Sequence, residues 1–321
     1  MSEPPAQLPQ LRFNPPDGNI ATPVTEWWSL MADHWDGGQE NLYLKCSLRR
    51  IEFCKCSNAA RHEFLILFFG HWIDGSTAEA VICVDRTFKL RMQDDNSSKQ
   101  FPGLVSHSSS EPSPALDSVS MVGSPHDAKP RLIQSHGPYT TLCTLRFSPS
   151  SAPSALEVST VLFLVHQQAP VYDLIDSQCF WFSDTVWRSL KALFPINQEF
   201  CNLNNHNSRA RYGGFTVGPS DLSVQAVCNA YESEWQRVLI KVEQVKRRHE
   251  AELAQVLQQG VEQGRAERQN EIDRLRAEQQ NEIDQLRAGQ RHDADQIWQM
   301  QVELAQLRAI MGVAASEGTR D

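Results

Sequence analysis

The stretch RHEFLILFF, residues Arg61–Phe69, decides the fold of the first part of this chain. From Phe64 onward every position in it is apolar, so both faces of an extended segment would be apolar. A strand with that composition is typical of the centre of a sheet that other elements cover on both sides. We therefore predict a central strand at this position.

Three further segments have the composition of strands. Asn41–Phe53 mixes polar and apolar residues and ends before a turn through Ser57-Asn58. Ala80–Leu90, AVICVDRTFKL, alternates and is rich in β-branched residues, and the turn residues Asp74-Gly75 separate it from the central strand, which predicts a hairpin. Tyr139–Phe147, YTTLCTLRF, is another candidate strand. Together with the central strand they predict an antiparallel sheet.

Three segments should pack against this sheet. Thr25–Trp35 carries three tryptophans, whose size requires burial. Ser154–Gln168 has the residue spacing of a helix. Gln178–Leu193 is a second predicted helix, with Asp176 or Ser177 as its N-cap residue. The predicted fold class is therefore α+β, a small antiparallel sheet packed with two helices.

Changes of composition along the chain predict its domain organisation. Residues 1–20 are polar and proline-rich, and residues 94–136 are dominated by Ser, Pro and Asp. Both should be disordered, because they cannot bury enough apolar surface to offset their conformational entropy. The α+β head would occupy residues 21–218. Residues 219–311 have the pattern of one long coiled-coil helix, and residues 312–321 would form a disordered tail.

The C-terminal helix is predicted from a tandem repeat of eleven residues. NEIDRLRAEQQ begins at Asn270 and NEIDQLRAGQR begins at Asn281, and the two copies share eight of eleven positions. Apolar residues that recur in register form a narrow stripe on a helix, and such a stripe implies a partner helix. The alternative is a solvated single helix held by Glu–Arg pairs. Self-association, or binding of a partner helix, would use Ile272, Leu275, Ile283, Leu286, Ile297, Leu304 and Leu307.

Charge and composition exclude two classes of partner. The formal net charge is -9, whereas general affinity for nucleic acid or for anionic membranes requires clustered Lys and Arg. The longest apolar run, Val161–Val165, is too short to span a bilayer. The sequence shows no secretory signal and holds eight cysteines, so we expect reduced thiols in a cytoplasmic or nuclear protein.

One cysteine has a position suited to nucleophilic chemistry. Cys179 lies in the first turn of a predicted helix, where backbone amide groups stabilise a thiolate. His62, near the start of the central strand, could supply the base that a thiol nucleophile needs. The alternative is structural, because Cys179 shares one helix face with Phe182 and Val186 and free cysteines are often buried.

The residues around this thiol resemble a known family. His-Glu-Phe at residues 62–64 opens the central strand, and Tyr172, Leu174, Cys179 and Phe182 later follow the spacing Tyr-x-Leu-x4-Cys-x2-Phe at the entry to a helix. This order resembles the circularly permuted papain-like fold of lecithin–retinol-acyltransferase-like proteins. The chain also resembles a family of uncharacterised proteins of mushroom-forming fungi, with a His-Glu strand, a Gln-Cys-aromatic-Trp-Phe helix and often a coiled-coil tail.

The resemblance implies a set of catalytic residues. It makes Cys179 the nucleophile and His62 the general base. A polar residue on the next strand would orient the imidazole, with Asp85 as the first choice and His71 as the second. Gln178 would help the backbone amides at the start of the helix to form an oxyanion hole.

Two functions are consistent with these observations. The acyltransferase pattern has Asn-Cys followed by Glu-His, whereas this chain has Gln178-Cys179-Phe180-Trp181. The first function is therefore an interaction or scaffold protein, whose permuted papain-like head has an unassigned or lost activity and is joined to a coiled coil. The second is a cysteine-dependent hydrolase or acyltransferase that acts on an amide, ester or thioester. Neither function implies a cofactor.

A zinc site is the remaining alternative. Cys54 and Cys56 would lie on one face of a strand, and Cys46 and His62 could complete a set of four ligands. The familiar structural zinc sites use two-residue spacers between their cysteines, and a second close pair is missing from the sequence. The sequence therefore predicts no bound metal.

Overall fold

The structure of the protein is a computed structural model. It describes residues 21–34, 41–57, 61–73, 76–88, 113–172, 178–201, 209, 211–212, 215–216 and 221–317. The chain forms two compact units, residues 1–249 and residues 250–321. The first unit holds the sheet, and the second is the C-terminal part of the last helix.

The first unit is built on an eight-stranded antiparallel sheet. Its strands are β1 (Thr22–Pro23), β2 (Ser47–Cys56), β3 (Glu63–Ile73), β4 (Ser76–Phe88), β5 (Ser113–Gly123), β6 (Tyr139–Phe147), β7 (Val171–Tyr172) and β8 (Asn197–Cys201). They lie in the order β1-β5-β4-β3-β2-β6-β8, and β7 pairs with β5. A separate two-stranded sheet consists of β9 (Arg211–Tyr212) and β10 (Phe215–Thr216). The helices are α1 (Val24–Asp33), α2 (Leu42–Lys45), α3 (Pro125–His136), α4 (Ala155–Gln168), α5 (Cys179–Leu193) and α6 (Asp221–Glu317).

The α+β fold class is confirmed, and β3 has the central place that its apolar sequence predicts. It pairs with β2 on one side and with β4 on the other. Its side chains from Phe64 to Phe69 are buried alternately on the two faces of the sheet. Helices α1, α4 and α5 contribute to the core on one face, and α3 packs on the other. The sheet is larger than predicted, because four strands besides the expected four join it.

The hairpin between β3 and β4 is confirmed by its register, in which Ile73 pairs with Ser76. The turn residues Asp74-Gly75 lie outside the described residues. Strand β6 has the predicted bounds Tyr139–Phe147. The first predicted strand differs, because the short helix α2 replaces its beginning and β2 starts only at Ser47.

The predicted disordered insertion at residues 94–136 is wrong for residues 113–136. Strand β5 pairs with β4 over most of its length, and α3 packs on the sheet. The Ser-rich sequence of β5 is accommodated because its acidic residue, Asp117, is neutralised by Arg86 of β4. A pairing of this kind is a tertiary feature that composition does not reveal. Residues 94–112 lie outside the described residues.

Two of the packed helices lie close to their predicted positions. Helix α1 buries Trp27 completely, and its Trp28 stacks on Phe163 of α4 with 4.3 Å between the ring centroids. Helix α4 begins with a capping box, in which Ser154 and Glu157 each bond the other's backbone amide. The cap fixes the start of α4 at the residue where the sequence predicts it.

The expectation that all eight cysteines are reduced is wrong for Cys143 and Cys201, which form a disulfide. They face each other directly across the pairing of β6 and β8. Strand β8 was not among the elements predicted from the sequence. The other six cysteines are free.

Helix α6 confirms the predicted long C-terminal helix, beginning at Asp221 and continuing past residue 311 to Glu317. The C-terminal residues 312–317 are therefore helical, contrary to the predicted disordered tail. Within the first unit, α6 packs into the head through the buried side chains of Val227 and Tyr231. No described helix combines the length and apolarity that crossing a membrane requires.

The described residues of the second unit, 250–317, are all helical, and the predicted stripe is exposed to solvent. Side chains of the repeat such as Ile272 and Ile283 retain 44% and 43% of their accessible surface. Ion pairs between neighbouring turns, such as that of Arg274 with Glu278, stabilise the solvent-exposed helix. The binding of a partner along the stripe stays a prediction.

Candidate functional site

Helix α5 places the candidate nucleophile at its first residue. Cys179 opens the helix and Gln178 is the N-cap residue, so the helix begins later than the predicted caps Asp176 or Ser177, which lie outside the described residues. The side chain of Cys179 is 6% exposed. Because α5 packs across β3 and β4, its N-terminus is held near the ends of those strands.

The structure brings His62 and Asp85 to this thiol. His62 directly precedes β3, and its ring stacks on Phe64 with 6.1 Å between the centroids. The thiol of Cys179 lies close enough to the imidazole to interact with it. Nε2 of His62 also lies 3.6 Å from Oδ2 of Asp85. We call Cys179, His62 and Asp85 the thiol centre.

The charges of this centre follow from its contacts. Burial alone would lower the pKa of His62, but the interactions with Asp85 and Cys179 outweigh it and raise the pKa to about 10. Burial would also raise the pKa of Asp85, and the neighbouring His136 and His62 instead hold it far below its usual range. An imidazolium next to a carboxylate is therefore the stable pair at neutral pH.

The hairpin register explains why Asp85 faces His62. Leu65 pairs with Val84, so Asp85 lies on the same face of the sheet as Phe64 and as the side chain of His62. The hydroxyl of Ser118, on the neighbouring strand β5, donates to Oδ1 of Asp85 at 2.7 Å. The second choice for this role, His71, lies roughly 30 Å further along β3, at about 3.3 Å per residue. The backbone therefore excludes His71 from the centre.

The start of α5 supplies donors for a developing negative charge. The backbone amide of Cys179 donates to the phenol oxygen of Tyr172, on β7, and burial raises the pKa of that phenol. Gln178 is buried beside the thiol and makes no side-chain cap bond. Its predicted role in an oxyanion hole stays a prediction. Tyr172 was part of the quoted sequence pattern, but no role was assigned to it.

His136 belongs to this site and was missed from the sequence. It is the last residue of α3, and its Nε2 lies 3.3 Å from Oδ2 of Asp85. Its ring is nearly parallel to that of His62, with 6.0 Å between the centroids and 14° between the planes. Reasoning from sequence missed it because it lies in the segment that was predicted to be disordered. The usable signal was the apolar pair Ala128 and Leu132, one helical turn apart and buried against the sheet.

The four residues of the alternative zinc site do not come together. Cys54 and Cys56 lie on the face of the sheet that α3 covers. Cys46 belongs to the core on the opposite face, where its thiol donates to the carbonyl of Leu42. The thiol of Cys56 instead donates to the carbonyl oxygen of His136 at 3.4 Å.

Comparison with known proteins adds no relative. The chain matches no family model, no curated protein and no solved structure. Its function must therefore be argued from the geometry of its own residues.

Proposed function

We propose that the head is a cysteine-dependent hydrolase or acyltransferase, which acts on the carbonyl carbon of an amide, ester or thioester. The observation that carries this proposal is the convergence of Cys179, His62 and Asp85. His62 and Asp85 come from the β3–β4 hairpin, and Cys179 comes from α5, which lies far from that hairpin in the chain. A helix-terminal thiol, an imidazole and an orienting carboxylate form the arrangement that a thiol nucleophile requires.

The reaction follows from these positions. The sulfur of Cys179 attacks the carbonyl carbon, a carbon–sulfur bond forms, and the bond to the leaving group breaks. The proton on His62 passes to the leaving nitrogen, oxygen or sulfur. Water, or an acceptor amine or alcohol, then attacks the thioester and gives its proton to His62. The carbon–sulfur bond breaks, and sulfur leaves as the thiolate beside the imidazolium with which the cycle began.

Asp85 and the start of α5 support these steps. Asp85 faces Nε2 of His62, which leaves Nδ1 as the nitrogen available to the thiol. The carboxylate thereby holds the ring in one orientation and stabilises its charged form. Backbone amides at the start of α5, together with Gln178 and Tyr172, would stabilise the oxyanion of the tetrahedral intermediate.

Alkylation of the full chain by iodoacetamide at neutral pH, mapped by mass spectrometry, tests the proposal. Cys179 should react faster than the other free cysteines, because burial raises the pKa of all five of them, Cys46, Cys54, Cys56, Cys83 and Cys228. His62→Ala should remove this preference. The matched control is His126→Ala, because His126 on α3 is exposed and outside the centre. Slow, uniform alkylation of all free thiols would overturn the proposal.

A second candidate function concerns the C-terminal helix. We propose that it associates with a second copy of the chain along the exposed stripe that includes Ile272 and Ile283. The supporting observation is that these β-branched residues are exposed in repeats whose other large side chains, apart from Leu275 and Leu286, are charged or polar. The head would then be carried on an oligomeric stalk, as a scaffold requires.

Sedimentation of the full chain tests this association. Ile272→Asp with Ile283→Asp should convert an oligomer into a monomer at the same concentration, because the charges would enter the apolar seam. Asn270→Asp with Asn281→Asp adds the same charge in the same repeats, about 200° around the helix, and should leave the oligomer intact. A wild-type chain that sediments as a monomer would overturn the association.

A further inference from the structure

Two imidazoles and a carboxylate converge beside the thiol of Cys179. His62, Asp85 and His136 each offer one ligand atom, and these atoms lie within 4.8 Å of one another. The two measured separations share one oxygen, Oδ2 of Asp85. It lies 3.6 Å from Nε2 of His62 and 3.3 Å from Nε2 of His136. We call these three residues the open cluster.

These separations are the ones that a tetrahedral ion requires. Zinc binds imidazole nitrogen and carboxylate oxygen at about 2.0–2.1 Å, which places neighbouring ligand atoms about 3.3 Å apart. One pair of the open cluster already has this spacing, and the other exceeds it by a few tenths of an ångström. The third separation, between the two imidazole nitrogens, is at most 4.8 Å, so side-chain rotations of about an ångström would bring the three atoms around one ion.

The outer atoms of the ligands are already occupied. Nδ1 of His136 lies 2.7 Å from the hydroxyl of Ser135, and Oδ1 of Asp85 accepts a hydrogen bond from Ser118. Nε2 of His62 is shielded from solvent and has no hydrogen-bond partner among the described residues. Metal sites in proteins use the same outer hydrogen bonds to fix which atom of each ligand faces the ion.

We propose that His62, Asp85 and His136 bind a divalent cation of borderline softness, with Zn²⁺ as the first choice. Two imidazoles and one carboxylate form a donor set that suits zinc and leaves a fourth position open. The site goes beyond the proposed function, because a metal ion on Nε2 takes the ring of His62 out of proton transfer. Zinc binding and thiol reactivity therefore exclude each other at this centre.

Competition with a chromophoric zinc chelator tests the site on the full chain. The titration is done without reductant, so that the Cys143–Cys201 disulfide stays closed. We expect one high-affinity Zn²⁺ per chain. His136→Ala should weaken it by more than about 100-fold, because losing a direct ligand costs more than losing an outer hydrogen bond. His126→Ala, on the same helix, should bind as the wild type does.

Asp85→Asn serves as a second variant of nearly unchanged shape, should His136→Ala fail to fold. It too should weaken zinc binding by more than about 100-fold, because it replaces the anionic ligand. Zinc binding that is equal in wild type and in both ligand variants would overturn the site. Failure of the wild type to bind Zn²⁺ at one ion per chain would do the same, and would show that the cluster is only a hydrogen-bonded ion pair.

The mutual exclusion of zinc binding and thiol reactivity is tested by alkylating Cys179 with and without Zn²⁺. Zinc should slow the alkylation of the wild type by about tenfold or more, since it immobilises the imidazole that supports the thiolate. In His136→Ala the ratio of the two rates should be close to one. A slowing by zinc that persists in this variant would show direct binding to sulfur and overturn the exclusion. The chelator titration is read without alkylation, so it decides the metal site even if Cys179 proves unreactive.

Discussion

Two clusters of this head are built from the same parts and have opposite characters. In each, one carboxylate on a sheet strand faces two cationic or imidazole groups. The open cluster consists of His62, Asp85 and His136. The second, which we call the closed cluster, consists of Arg86, Asp117 and His166.

The closed cluster is saturated. Arg86 and Asp117 form two parallel hydrogen bonds of 2.6 and 2.7 Å, and both side chains are fully buried. Arg86 also donates to the carbonyl of Ala169, and Nδ1 of His166 lies 2.7 Å from Asp117. The guanidinium lies over the ring of Trp181, 4.8 Å from its centroid. No further ligand could enter without breaking one of these bonds.

The open cluster differs in each respect. Its side chains retain 14–21% of their accessible surface, its contacts are 3.3 and 3.6 Å long, and a thiol lies beside it. Asp85 and Arg86 are adjacent on β4 and thus face opposite sides of the sheet. Asp85 belongs to the open cluster, and Arg86 belongs to the closed one. A charged group with saturated contacts stabilises the fold, and one with room around it can bind or react.

The largest expected effect on stability comes from a substitution that disrupts the closed cluster. Asp117→Asn should lower the free energy of unfolding by about 3–5 kcal/mol, because it leaves Arg86 buried without its counter-ion. Urea denaturation followed by tryptophan fluorescence measures the change. Asp85→Asn is the matched control in the open cluster and should cost less than half as much, since its partners keep contact with solvent. Equal costs would remove the distinction between the two clusters.

Substitution of His62 or His166 tests separately the roles of the open and closed clusters. His62→Ala should slow the alkylation of Cys179 by about tenfold or more, because it removes the cation that supports the thiolate. His166→Ala should leave that rate unchanged and reduce stability instead. Alkylation kinetics and thermal unfolding of both variants give the result. A loss of Cys179 reactivity in His166→Ala would mean that both clusters act only through the fold.

The sequence predicted the thiol centre where strong local patterns position its residues. The apolar run of β3 fixed the place of His62, and the short turn after β3 fixed the register that brings Asp85 alongside. The helix was predicted to start at Gln178, one residue before its observed start at Cys179, so Cys179 was correctly placed in its first turn. Periodicity placed His62 and Cys179 on their elements, and the resemblance to permuted papain-like proteins supplied the expectation that a residue such as Asp85 lies beside them.

The sequence did not predict the parts that depend on tertiary pairing. Strand β5 has few large apolar residues, and its Asp117 is buried only because Arg86 lies on the neighbouring strand. His136 was lost with this segment, since α3 follows β5 directly. The Cys143–Cys201 disulfide was missed for the same reason, because β8 is short and its pairing with β6 is visible only in the folded chain.

The smallest expected effect concerns the pH range over which the clusters can be compared. Burial raises the pKa of Cys46 from 9.0 to about 12. Below pH 9 this thiol is protonated in both the folded and the unfolded chain and does not affect the balance. Between pH 9 and 12 the unfolded chain has lost a proton that the folded chain retains. The free energy of unfolding therefore falls, by up to about 1.4 kcal/mol per pH unit for this thiol.

Unfolding of Cys46→Ala at pH 8 and pH 10 measures this contribution. The variant should be less stable than the wild type at both pH values, because the substitution leaves a cavity in the core. The informative quantity is therefore the change in the free energy of unfolding between pH 8 and pH 10. The slope should be shallower than that of the wild type. Cys228→Ala should change it less, because Cys228 is only half-buried. An unchanged slope in Cys46→Ala would mean that the alkaline limit lies elsewhere, and the thiols nearest the open cluster, Cys56 and Cys83, would then be the next to replace.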